Sequence, residues 1–157
     1  MACAFPYLKI QREKARIKAE RKEYRERKAA LKTRREWLND AQRFCNKYVR
    51  LRDEDQPCIS CGSTTATSWD AGHYRSVAAA PGLRFNEDNI HKQCVACNQH
   101  KSGNAIEYRI GLKARIGEAR VEALECFNEV VKWSIEDAKQ IMAKYKAKLK
   151  ELTNKRR

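Results

Sequence analysis

The stretch QCVACNQHKSGN, Gln93–Asn104, decides how the rest of the chain is read. Two cysteines stand two residues apart, Asn98 follows the second directly, and His100 and Lys101 come just after. A Cys-x-x-Cys pair supplies two thiolates, and a closed tetrahedral zinc site takes four. The other two lie upstream in PCISCGS, at Cys58 and Cys61. Cys58, Cys61, Cys94 and Cys97 together predict a structural zinc. The 32 residues between the pairs, 62–93, exceed the usual zinc-ribbon spacing, so something is built inside the loop.

Cysteine usage and the termini agree with that reading. No stretch approaches the ~20 uninterrupted apolar residues of a membrane span. The opening MACAFPYLKI lacks a long apolar signal core. A cytoplasmic protein without membrane contact is expected, and in that compartment paired cysteines argue for metal before disulfides. Cys3, Cys45 and Cys126 are isolated in sequence and read as small buried or tail residues.

The 157 residues carry a formal net charge of +14, with 42% hydrophobic and 34% charged residues. The charge is unevenly placed. Residues 1–36 hold 13 Lys/Arg against 5 acids, residues 141–157 hold 7 against 1, and residues 53–104 hold 4 against 6. Basic flanks suit a phosphate backbone, and a slightly acidic centre suits a cation site. Nucleic acid is the expected partner.

From Lys9 to Leu38 the composition predicts helix, with no Gly or Pro. Ile10, Ile17, Tyr24, Leu31 and Leu38 recur every seven residues, but the second seam is Lys14, Arg21, Lys28 and Arg35. A coiled coil wants both seams apolar. This thin stripe can lie on DNA, pair with a copy of itself, or stay unfolded alone. TRRE, Thr33–Glu36, fits a capping box that starts a second helix to about Arg52. There Trp37, Ala41, Phe44, Cys45, Tyr48 and Val49 share one face. TTATSWDAGHYRS reads as one or two short strands, and AAAPGLRFNEDN as a loop. After Asn104 a helix runs through Tyr108 and Ile116 to a break at Gly117. SIED, at Ser134–Asp137, caps a last helix that ends in NKRR.

Between and beside the cysteine pairs stand Asp70, Gly72, His73, Asn89, Asn98 and His100. The order Cys-x-x-Cys, strand, His, Asn, Cys-x-x-Cys-Asn resembles the layout of the HNH, or His-metal finger, nucleases. The version bracketed by two cysteine pairs resembles phage endonuclease VII. The segments PCISCGS, WDAGHYRS and AAAPGLRFNEDNIHKQCVACNQHKSGN, with the preceding basic helix, resemble the phage NinG (Rap) recombination family over roughly residues 30–152. That resemblance implies a structure-specific endonuclease acting on Holliday junctions and D-loops, with branched DNA as partner and a homodimer matching a junction's two-fold strands.

The same resemblance implies an α+β, mostly helical fold: a zinc-bracketed ββα-metal core with long basic flanking helices. The organisation expected is a basic helical arm over 1–36, a helix plus nuclease core over 37–104, and C-terminal helices with a basic tail over 105–157. His73, with an ordinary pKa near ~6.5, is the candidate general base. Asn89 would fix the histidine's loop. Asn98 would hold a catalytic Mg²⁺ or Mn²⁺. Many HNH members carry Asp immediately before the histidine; here Gly72 stands there. Asp70 is the candidate second ligand if the chain turns between it and His73, and points away if it does not. Arg75, Arg84, Lys101 and His100 are candidate DNA contacts. His100 could instead assist the metal, and His91 reads as structural. The alternatives are a zinc-dependent nucleic-acid binding module without catalysis, and a zinc-stabilised helical adaptor.

Overall fold

The computed structural model describes residues 4–156, and side chains from residue 7 onward; Cys3 lies outside them. The described residues are mostly helical, with one two-stranded antiparallel sheet among them. Five helices, α1 (Ala4–Ala30), α2 (Arg34–Arg52), α3 (Ala105–Ile116), α4 (Glu118–Glu125) and α5 (Ile135–Lys155), accompany the strands β1 (Trp69–His73) and β2 (Ile90–Cys94) in the chain order α1, α2, β1, β2, α3, α4, α5. The chain divides into two compact units, residues 1–36 and 37–157.

The helix expected over Lys9–Leu38 is broken. α1 ends at Ala30 and α2 begins at Arg34. The break is chemical: the Thr33 backbone N–H donates to Glu36 Oε2 at 2.8 Å, and the Glu36 N–H donates to Thr33 Oγ1 at 3.3 Å. That reciprocal pair is the capping box read from TRRE. Along α2, Leu38, Ala41, Cys45, Tyr48 and Val49 are buried at helical spacing. They join Ala138, Tyr145 and Leu149 of α5, Phe85, and Ala71 and Ile90 of the sheet in one core. A second core joins Ile59, Ala80 and Leu83 to Tyr108 and Leu112 of α3 and Val121 and Leu124 of α4. α3 approaches the first cysteine turn through Gly111, where a Cβ would stand 1.9 Å from the Ile59 carbonyl oxygen.

Only five residues of TTATSWDAGHYRS are strand. The partner strand is Ile90–Cys94, directly after the stretch that reads as a loop, in register Trp69↔Cys94, Asp70↔Gln93, Gly72↔His91 and His73↔Ile90. All five of its residues are buried. A π-helical turn, Ala96–His100, follows at once, marked by the Lys101 N–H donating to the Ala96 carbonyl at 3.0 Å. Ser134 caps α5 with Asp137 in a second reciprocal box. No helix among the described residues is long and apolar enough to cross a membrane.

Candidate metal centre and strand-end site

β2 delivers Cys94 and the π-turn delivers Cys97. The first cysteine pair sits in a tight turn in which the Cys58 N–H donates to the Ser63 carbonyl at 2.8 Å and the Gly62 N–H to the Cys58 carbonyl at 3.0 Å. The four Sγ atoms lie within 4.8 Å of one another. Cys94 Sγ is 3.7 Å from Cys58 Sγ and 3.8 Å from Cys61 Sγ. Metal–sulfur bonds of about 2.3 Å in a tetrahedron give sulfur–sulfur edges of about 3.8 Å, whereas a disulfide needs about 2.05 Å. The quartet has the dimensions of a metal cage, and four thiolates in a tetrahedron suit zinc. Burial raises the Cys58 thiol, but N–H groups of Cys61, Cys94 and Ser60 outweigh it and bring its pKa to about 7. Burial, with the Cys94 and Cys61 sulfurs beside it, pushes Cys97 up to about 12. A cation among the sulfurs removes that cost of crowding charge.

His73 closes β1. Its Nε2 lies 3.1 Å from the Arg84 carbonyl oxygen. A carbonyl only accepts, so Nε2 carries the proton and Nδ1 keeps its lone pair. Burial lowers the His73 pKa below the ordinary histidine value, against the raising effect of that carbonyl. Asn89 is wholly buried and ties together the chain around His73. Its Oδ1 accepts from the Arg75 N–H at 2.8 Å, its Nδ2 donates to the Arg75 and Leu83 carbonyls at 3.0 and 3.2 Å, and its own carbonyl accepts from the Tyr74 N–H at 2.8 Å.

Asp70 and Asn98 meet. Asp70 Oδ2 accepts from Asn98 Nδ2 and from Gln99 Nε2, both at 2.8 Å. Nothing in the sequence marks Gln99 except its neighbour. Side chains alternate along a strand, so Asp70 and His73 leave β1 on opposite faces, about 10 Å apart along it.

The basic candidates differ in their engagement. Arg75 Nη1 donates to the carbonyls of Leu124, Glu125 and Phe127 at the end of α4. Arg84 donates to Gln42, Leu38 and Asn39 of α2. Both guanidiniums brace the fold. His100 and Lys101 are exposed. His91 is buried against Tyr108, and burial beside Arg52 lowers its pKa to about 4. An open cleft of about 870 Å³ runs between the first cysteine turn and α3, with Asp53, His91 and Arg115 in its walls, and none of Asp70, His73 and Asn98 is among its lining residues.

Ribbon and cage together define a small helical protein organised around a cluster of four cysteines with the dimensions of a metal site. The model described as "Bacteriophage Lambda NinG protein" matches residues 8–155, and the chain belongs to this NinG family. NinG proteins of Escherichia phage lambda, Escherichia phage 933W and Salmonella phage P22 are 56%, 55% and 55% identical to it over 130 residues. Those alignments cover 83% of this chain and 64%, 65% and 64% of the three relatives, so the chain spans about two thirds of their length. No solved structure matches it.

Proposed function

We propose that the chain is a metal-dependent DNA endonuclease of the HNH type, acting as a homodimer in the host cytoplasm on branched recombination intermediates such as Holliday junctions and D-loops. One observation carries the reading: a half-buried histidine at the end of a β-strand, with Nε2 committed to a carbonyl and Nδ1 left as the basic nitrogen. Its lowered pKa keeps it neutral at physiological pH, as a general base requires. Asn89 holds the two segments that carry and face it.

Asp70 and Asn98 offer the hard oxygen atoms that Mg²⁺ or Mn²⁺ takes. Such an ion, held there, would supply Lewis-acid stabilisation of the charge developing on the phosphate. His73 Nδ1 accepts the proton of the attacking water. Asp70 and His73 leave opposite faces of β1 about 10 Å apart along it, so the reading requires both to be drawn onto one scissile phosphate when DNA binds. The exposed Lys101 and His100 and the basic helices supply phosphate contacts; Arg75 and Arg84 serve the site by holding the His73 loop.

The test is cleavage of a labelled four-way junction beside its linear arms, with and without Mg²⁺. His73→Ala should fold, keep zinc and still shift the junction in a gel, while its cutting rate falls by about 10²–10⁴-fold. In the parent protein the acid limb of the rate should lie below pH 6.5, because the folded pKa is depressed. Undiminished cutting by His73→Ala would remove the nuclease assignment and leave a zinc-dependent binding module.

A further inference from the structure

We propose that the side-chain oxygen of Gln93 is a ligand for the divalent cation held at Asp70 and Asn98, standing where a side chain on residue 72 would otherwise reach. The proposal rests on the nuclease reading and deepens it by adding a residue to the cation site.

Gln93 is wholly buried in β2. Its Nε2 donates to Ser60 Oγ and to the Gly103 carbonyl, both at 2.7 Å. Its Oε1 is buried and has no hydrogen-bond partner among the described residues. Turning the amide over does not help, because it would set Oε1 against the Gly103 carbonyl oxygen and repel it. The donors therefore fix which atom points where. Buried carbonyl oxygens are almost always paired, so an unpaired one calls for an explanation.

Its position supplies the explanation. Gln93 faces Asp70 directly across the ladder, and directly opposed residues project from the same face of a sheet. Two residues along, still on that face, is Gly72. A Cβ on Gly72 would stand 2.1 Å from Gln93 Oε1. Any other residue at 72 would expel the oxygen from this place. The glycine and the glutamine thus form a matched pair: one leaves a space and the other fills it with a carbonyl oxygen.

Asp70 on the same face is held by Asn98 and Gln99 from the π-turn. Asn98 donates with Nδ2, so its Oδ1 remains available. One face of the ribbon then carries a carboxylate and two amide oxygens. That donor set suits a hard cation such as Mg²⁺ or Mn²⁺ and not a thiophilic one. Oε1 is closed to water, so a cation that reaches it sheds its water on that side. His73, on the opposite face, stays outside the ligand set and keeps its nitrogen for the proton.

The proposal is tested without DNA on zinc-loaded full-length protein. In the wild type, Mg²⁺ titration should move the carbon-13 carboxamide signals of Gln93 and Asn98 with one midpoint. Gln93→Met, which keeps the bulk and removes the oxygen, should weaken Mn²⁺ binding, followed by electron paramagnetic resonance of the free ion, by about 10-fold or more. Gly72→Ala, which displaces Oε1 and leaves Gln93 in place, should do the same. Zinc content and thermal melting check the fold of each. If Gln93→Met does not fold, the wild-type signals and Gly72→Ala decide. A Gln93 signal that stays still while that of Asn98 moves, with Asp70→Asn weakening Mn²⁺, overturns the proposal and leaves the nuclease reading standing. If neither Asp70→Asn nor Asn98→Ala alters Mn²⁺ binding, the cation site itself falls.

Discussion

α1 and α5 are both long, lysine-rich helices, yet α5 is buried along a face and α1 is not. α5 sets Ala138, Tyr145 and Leu149 into the core, with Ile141, Met142 and Leu152 packed against it. Those positions recur at three and four residues and make a full apolar face. On α1, Ile10, Ile17 and Tyr24 recur at seven only, and they are 53%, 38% and 67% exposed. The positions between them are Lys14, Arg21 and Lys28. The two helices teach that the second seam, more than the charge, determines whether a basic helix becomes part of a body. α1 is laced instead by surface pairs such as Glu23–Arg27 and Arg16–Glu20, worth only about 0.2–0.5 kcal/mol each.

The harshest way to break the comparison is to remove the metal. Cys61→Ser, or chelation, should release about one zinc per chain and unfold residues 37–157, since metal binding is folding free energy in small domains. α5 should lose its face with the rest, while α1, in a separate compact unit, keeps whatever helix it has. Near-ultraviolet circular dichroism and metal analysis read both outcomes. A folded, zinc-free preparation would remove the cage from the account. The next step is a matched pair of tyrosines. Tyr145 is wholly buried and its hydroxyl donates to the Phe85 carbonyl at 2.8 Å, so Tyr145→Ala should cost about 3–5 kcal/mol, as large aromatic truncations do. Tyr24→Ala should stay within about 0.5 kcal/mol. Denaturant titration of the two variants measures the contrast, and equal costs would mean that α1 has a buried face after all.

A subtler step asks what α1 contributes to binding. Deleting residues 1–30 should leave the melting temperature of the remainder near that of the parent and flatten the salt dependence of DNA binding. Every phosphate that α1 had neutralised takes about 0.9 off the slope of log affinity against log salt when the helix is removed. An unchanged slope would leave α1 as a solvated helix or a pairing element.

What the sequence discloses follows the same logic of local against distant partners. The cysteine quartet, both capping boxes, the α2 face and the Gly117 break are written in short-range patterns, and each can be read. β2 cannot. IHKQC has no two-residue alternation, because both of its faces are covered and its side-chain donors find acceptors far away in sequence: Lys92 Nζ donates to the Glu54 carbonyl at 2.7 Å and Gln93 Nε2 to Ser60. Arg75 and Arg84 read as DNA contacts for the same reason, since their acceptors lie 42–52 residues away in sequence. α4 carries no side-chain cap to announce it. The meeting of Asp70 with Asn98 depends on the π-turn, whose backbone geometry has no residue signature of its own.

The last contrast is narrower than that of the tyrosines and uses a motif that two helix starts share. Thr33 and Ser134 sit at the start of α2 and α5 in the same reciprocal arrangement, with Glu36 and Asp137 returning the bond. Ser134→Ala should cost about 1 kcal/mol, the usual value of a lost N-cap oxygen, because the backbone N–H of Asp137 loses its acceptor at 3.0 Å. Thr33→Ala should cost the same or less. The apolar heptad runs on past the break through Leu31 and Leu38, so without the cap an unbroken helix from α1 into α2 becomes the nearest alternative. That alternative re-pairs the exposed N–H groups and recovers part of the loss. Thermal melting of the two alanine variants gives the costs, and far-ultraviolet circular dichroism gives the helix content. Equal costs with unchanged helicity would show the cap acting only on its own first turn. A smaller cost at Thr33 with added helicity would show that a single hydroxyl keeps the basic arm and the folded body as separate helices.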